Sequence, residues 1–144
     1  MTIKRRAAFD ELAELVQRAI DLLETAGTIE KPDLREYDGY CARACAAYKY
    51  LVEQDTNARE LSQYPNVRLK RLKEPGSGPG ESHYWLEDYE GNVLDLTFNE
   101  RRRLSRSIDY GAGKGASVLT DSDGLPKRKD TQRIIAVVQA ALGD

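Results

Sequence analysis

One histidine, two cysteines and an aspartate hold most of the chemistry that this sequence can offer. His83 is the only imidazole in the chain, so a general base of that type has no other candidate. A free thiol is mostly protonated at neutral pH, and it becomes a nucleophile only where positive potential favours the thiolate and a base removes the proton. Cys41 meets the first condition better than Cys45. Asp38-Gly39-Tyr40-Cys41 leads into an Ala-rich run, free of Gly and Pro, that extends to Gln54. With Asp38 as the cap of that helix, Cys41 falls in the first turn, where unpaired N–H groups and the helix dipole stabilise a thiolate and can donate to an oxyanion. Cys45, one turn further in, loses most of that benefit.

A base of this kind works best when a third group accepts a hydrogen bond from the far ring nitrogen and fixes the tautomer. Asp95 is the candidate, and strand parity decides whether it can serve. A three-residue turn at Tyr89-Glu90-Gly91, with Gly91 left-handed, pairs Asp88 with Asn92 and Trp85 with Asp95. Asp95 then sits diagonal to His83 on the same sheet face. A two-residue turn at Glu90-Gly91 would put them on opposite faces. Asn99 is the reserve orienter, and Tyr40 and Trp85 are the candidates for substrate contact. Each residue taken singly also has a plain structural reading: a cysteine on an Ala-rich stripe is a small core residue, and a tryptophan is usually core. The combination and its order give the reading its weight.

The elements that must position these groups follow from periodicity. From Arg6 to Ala26, Phe9, Leu12, Leu15, Val16, Ala19, Ile20 and Leu23 recur at helical spacing, and Gly27 stops the helix. Thr28 to Tyr37 connects. In the second helix Cys41, Cys45, Tyr48 and Val52 share an inward stripe flanked by Ala44 and Leu51. Asp55 to Pro65 reads as polar loop, and Val67 to Leu72 as a strand with one basic face. The Pro75 to Gly80 run is a flexible loop, and the His83 hairpin follows it. After a basic run, Arg101-Arg102-Arg103-Leu104-Ser105-Arg106, the Gly111-Ala112-Gly113-Lys114-Gly115 run is loop, Ala116 to Leu119 is a short strand, Asp121 to Lys129 is polar loop, and a last helix begins at Thr131.

The 144 residues fit a single domain, 1–144, able to bury a core without disulfides or metal. Lys and Arg number 22 against 24 Asp and Glu, so global charge names no partner. No stretch is apolar enough for a membrane span, and Met1-Thr2-Ile3-Lys4-Arg5-Arg6 has no apolar signal core. The expectation is a soluble cytoplasmic protein, of a bacterium or of a bacterial host, whose two thiols are free.

A Cys at a helix start followed by His and Asp on neighbouring strands resembles the papain-like and transglutaminase-like thiol enzymes. More narrowly, Gly39 through Leu51 is similar to a Gly-x-Cys-x-x-Ala-x-x-Ala-Leu helix motif of small phage and bacterial proteins. His83-Tyr84-Trp85-Leu86, Glu90-Gly91 and Asp95-Leu96-Thr97 match their later strands, over roughly residues 38 to 130. The resemblance implies an α+β fold in which N-terminal helices pack on a small antiparallel sheet with a C-terminal helix. It also implies a hydrolase or acyltransferase that acts on an amide, isopeptide or thioester carbonyl through Cys41, His83 and Asp95, with no cofactor and no metal. Its substrate would be a protein or a small acyl compound. The chain departs from papain-like peptidases in lacking a glutamine ahead of the cysteine. Tyr37, Tyr40 or backbone N–H groups stand in its place, and the chain has no second lobe to build a long cleft.

Two other classes compete. A non-catalytic binding module, for a host protein or for nucleic acid, would use Arg101, Arg102, Arg103 and Arg106 with Lys114, Lys127, Arg128 and Lys129. A zinc site built from Cys41, Cys45, His83 and Asp95 lacks the usual finger spacings. The Gly111 to Gly115 run is not a phosphate loop, because no Ser or Thr follows its Lys.

Overall fold

The computed structural model describes residues 5–6, 10–29, 38–64, 66–73, 82–96, 110–118, 120–122 and 124–143. The fold is α+β. A short strand β1 (Arg5–Arg6) is followed by helices α1 (Glu11–Thr25), α2 (Asp38–Gln54) and α3 (Thr56–Leu61). Strands β2 (Val67–Lys73), β3 (Ser82–Asp88) and β4 (Asn92–Leu94) come next, then a 3-10 turn at Tyr110–Ala112, β5 (Lys114–Gly115) and helix α4 (Lys129–Leu142). The sheet order is β1-β4-β3-β2-β5. The four strands β2 to β5 are antiparallel, and β1 adds a parallel edge against β4. The expected small antiparallel sheet is thus present as β2 to β5, with β1 as a two-residue parallel addition.

Helix α2 packs against the three other helices and against β2 and β3. Its predicted stripe is buried at Cys45, Tyr48 and Val52, with Ala44 and Leu51 beside it. Leu12, Val16 and Ile20 of α1, Ile134, Ile135 and Val138 of α4, and Leu69, Leu86 and Leu94 of the sheet join the same apolar cluster. Alanines at 44 and 47 let the helix sit close to so many neighbours. Among the described residues no helix is long and apolar enough to cross a membrane.

The ends of the helices show why the sequence breaks where it does. The first helix begins at Glu11 rather than near Arg6, because the Asp10 carboxylate accepts the Ala13 N–H at 2.8 Å and caps it. Gly27, at φ +71°, ends the helix, with its N–H on the Glu24 carbonyl and the Thr28 N–H on that of Leu23. That pair of bonds is a Schellman motif. Asp38 is the first residue inside α2 and not the residue ahead of it, which still leaves Cys41 in the first turn. The expected polar loop after Asp55 instead contains α3, capped by Asp55 through the Ala58 N–H at 3.0 Å. Arg59 of α3 donates to the Val52 and Glu53 carbonyls at 2.7 and 2.8 Å, which satisfies the C-terminal end of α2. The last helix starts at Lys129, two residues before the expected Thr131. The strand expected at Ala116 to Leu119 also shifts: β5 is Lys114–Gly115, and Ala116 continues it only by donating to the Leu69 carbonyl.

Asp10 does more than cap. It is 3% exposed and also accepts from the Tyr48 hydroxyl and, at 3.0 Å, from the Gln63 N–H, while the Tyr48 hydroxyl lies 2.6 Å from Ser62 Oγ. One carboxylate thereby ties α1 to α2 and to the segment after α3. Burial, and then the bond to Asp10, push the Tyr48 phenol far above the ordinary tyrosine value of 10.0. A raised folded-state pKa means that the unfolded chain loses this proton first. The stabilisation is therefore complete below about pH 10 and declines as pH rises further. Replacing Asp10 by Ala removes the cap and strands two buried donors, so urea denaturation should show a loss of about 3 kcal/mol. A loss under about 0.5 kcal/mol would mean that water replaces the carboxylate at no cost.

Candidate functional site

The site is built on the β3–β4 hairpin. Leu86 pairs with Leu94 and Glu87 with Val93, a register that continues to Asp88 opposite Asn92 and Trp85 opposite Asp95. The Asp88 carboxylate accepts from the N–H groups of Glu90 and Asn92 at 3.0 and 2.8 Å, and from the Asn92 side chain at 2.9 Å. Gly91 has φ +88°, the left-handed conformation that a three-residue turn requires. With this register His83, Trp85 and Asp95 share a sheet face, while Leu86 and Leu94 turn to the helices.

His83 and Asp95 meet on that face. His83 Nε2 lies 2.7 Å from Asp95 Oδ2, with His83 4% exposed and Asp95 fully buried. An ionised carboxylate can only accept, so the imidazole donates from Nε2. In the neutral ring the lone pair then sits on Nδ1, and among the described residues Nδ1 has no partner. The Tyr110 hydroxyl donates to the same Oδ2, also at 2.7 Å. Among the described residues, the buried Oδ1 of Asp95 has no hydrogen-bond partner.

Trp85 holds this cluster in place. Its indole is fully buried, stacked beside the His83 ring at 5.9 Å and met edge-on by Tyr110 at 5.1 Å. A Cβ on Gly113 would stand 2.2 Å from Trp85 Cζ2, so only glycine allows the chain to pass there. Trp85, expected as a substrate contact, is here fully buried and packs beside the imidazole. The chain matches no family model, no curated protein and no solved structure.

The other expected site residues fall as follows. The backbone of Cys41 is the fourth residue of α2, and its side chain and that of Tyr40 lie outside the described residues, as do Asn99 and the basic run 101–106. Cys45 is fully buried in the helical core. Among the described residues, no three His, Cys, Asp or Glu side chains gather as a metal site would require. Of the other basic residues, Lys114 lies on β5, and Lys127, Arg128 and Lys129 lead into α4.

Tyr110 is the member that the sequence reading missed. It precedes a glycine run that reads as loop, and no spacing rule connects a tyrosine there to an aspartate on a hairpin. The glycines themselves were the available signal, since a chain that must cross an indole closely needs them. Gly113→Ala should force the single tryptophan to shift. We expect a red-shifted, broadened Trp85 emission and a stability loss of about 2 kcal/mol on denaturation, and an unchanged spectrum would contradict the packing described.

Proposed function

We propose that the protein is a thiol-dependent hydrolase or acyltransferase with Cys41 as nucleophile, His83 as base and Asp95 as orienter, on a papain-like or transglutaminase-like core. The observation that carries this reading is the buried His83–Asp95 hydrogen bond at 2.7 Å, which leaves Nδ1 as the basic nitrogen. The place of Cys41 in the first turn of α2, where the helix dipole favours a thiolate, is consistent with the reading.

In the proposed reaction, Nδ1 takes the Cys41 thiol proton as the sulfur attacks a carbonyl carbon. The S–C bond forms, and the carbonyl electron pair moves to oxygen, facing the free N–H groups of the helix start. Collapse of this adduct re-forms the carbonyl and breaks the bond to the leaving amine or thiol, which receives the proton from the imidazolium. Water or an acceptor amine then attacks the thioester, gives its proton to Nδ1, and releases the acid or the new amide with the thiol restored. The reading requires the first turn of α2 to approach the end of β3 at which the imidazole emerges. A small acyl compound, or a protein presenting one exposed carbonyl, suits a chain of this size.

Comparing the labelling of the two cysteines does not test this by itself, because burial alone makes Cys45 slow. Dependence on the base does. Alkylation of Cys41 by iodoacetamide near neutral pH should fall about tenfold or more in His83→Asn, and less in Asp95→Asn. An unchanged rate in a folded His83→Asn protein would remove Cys41 and His83 from a common site.

A further inference from the structure

We propose that Tyr110 is a positioning residue for the His83–Asp95 pair: its hydroxyl selects Oδ2 as the carboxylate oxygen that receives the imidazole, and so holds His83 in the tautomer protonated at Nε2. Its catalytic meaning rests on the reading of His83 as a base, while the tautomer itself is independent of the nucleophile.

Three observations carry the assignment. First, the carboxylate is used asymmetrically. Oδ2 takes two donors at 2.7 Å each, and among the described residues Oδ1, equally buried, takes none. A carboxylate held only by the imidazole could turn about its soft terminal torsion and lose its alignment with Nε2. The phenol, as a second donor from another direction, holds that torsion. Second, the phenol is itself anchored. Its ring meets Trp85 edge-on, its carbonyl accepts the Gly113 N–H at 3.2 Å, and β5 then pairs Gly115 with Lys70 and Lys114 with Arg71. Tyr110 is therefore fixed from the β2 side of the sheet and Asp95 from the β4 side, with His83 on the strand between them.

Third, the surroundings offer His83 few other charges. Glu87 lies on the same face of β3, and Lys70 and Arg68 stand opposite Trp85 and Glu87 on β2, with Arg68 4.0 Å from Glu87. The residue opposite His83 is Leu72, and Lys114 pairs with Arg71, whose parity is that of the other face. Among the described residues, then, Asp95 is the carboxylate that the ring touches, and Tyr110 is the donor that competes for it. Removing that hydroxyl should free the carboxylate to turn away from the imidazole.

Because the chain has one histidine, its ring gives a single set of signals in long-range proton–nitrogen NMR, and the protein can be examined without a substrate. In the parent protein the neutral ring should show Nε2 protonated and Nδ1 bare. In Tyr110→Phe, which keeps the ring against Trp85, the nitrogen shifts should move toward a tautomer average. A residue that only filled space would leave them unchanged in the phenylalanine variant, and that outcome overturns the proposal. A parent ring protonated at Nδ1 overturns it without any variant. The rate of Cys41 alkylation separates this proposal from the reading beneath it. Slower alkylation in Tyr110→Phe beside averaged nitrogen shifts supports both, whereas averaged shifts with an unchanged alkylation rate support the role of Tyr110 and overturn the thiol reading.

Discussion

The site depends on the register of one hairpin. A slip of a single residue between β3 and β4 would turn Asp95 to the helical face and leave His83 alone. Two unlike interactions prevent it. At the turn, Asp88 gathers the N–H groups of Glu90 and Asn92 around a left-handed Gly91. Along the strands, Leu94 and Leu96 flank Asp95 and are buried among the helices, so the same slip would also turn two leucines out of the core. Each lost leucine is worth about 2 kcal/mol of burial, more than a typical net hydrogen bond. The apolar face therefore enforces a polar contact that lies on the other side of the sheet.

The two faces of the sheet are covered by different means. On one side α1, α2 and α4 supply long apolar stripes, and their order is enforced by buried polar ties such as the Asp10 network and the Arg43–Asp130 ion pair at 3.2 Å. On the other side, in the described part, a short glycine-bearing strap lies over Trp85 and ends as an edge strand. A strap has little area with which to position a side chain. It compensates with one close approach, one edge-on ring contact and one hydroxyl hydrogen bond. Helix α2 supplies the opposite quality: from Ala44 to Val52 it is packed in the core, and its C-terminal end is closed by Arg59.

The parts of the fold that were legible in the sequence are those governed by local geometry. Gly27 and Gly91 have left-handed conformations that few other residues adopt, so the end of α1 and the turn of the hairpin could be located from residue type. The buried stripe of α2 followed from its period. Short or long-range features were not legible. Six residues of α3 are too few for a periodic pattern, the two residues of β5 take their state from β2, and apolar Phe9 drew the expected start of α1 past its true cap at Asp10. The His83–Asp95 contact could be anticipated because both residues lie on one hairpin, and parity relates them. Tyr110 could not, because the segment that brings it back to Asp95 follows no local rule.

A buried His–Asp pair also has to be weighed against what a purely structural sheet would place there. Burying a carboxylate is expensive even when it is paired, and an apolar substitute of similar volume is often neutral or better. Asp95 nevertheless takes two hydrogen bonds on one oxygen while leaving the other without any, and Trp85 buries its Nε1 without a partner beside it. Each such orphaned atom costs on the order of 1–3 kcal/mol. Selection for stability alone would remove these groups, since leucine or valine would pack the same face at lower cost. Their presence around one imidazole with a bare nitrogen is the cost that the proposed chemical role would explain.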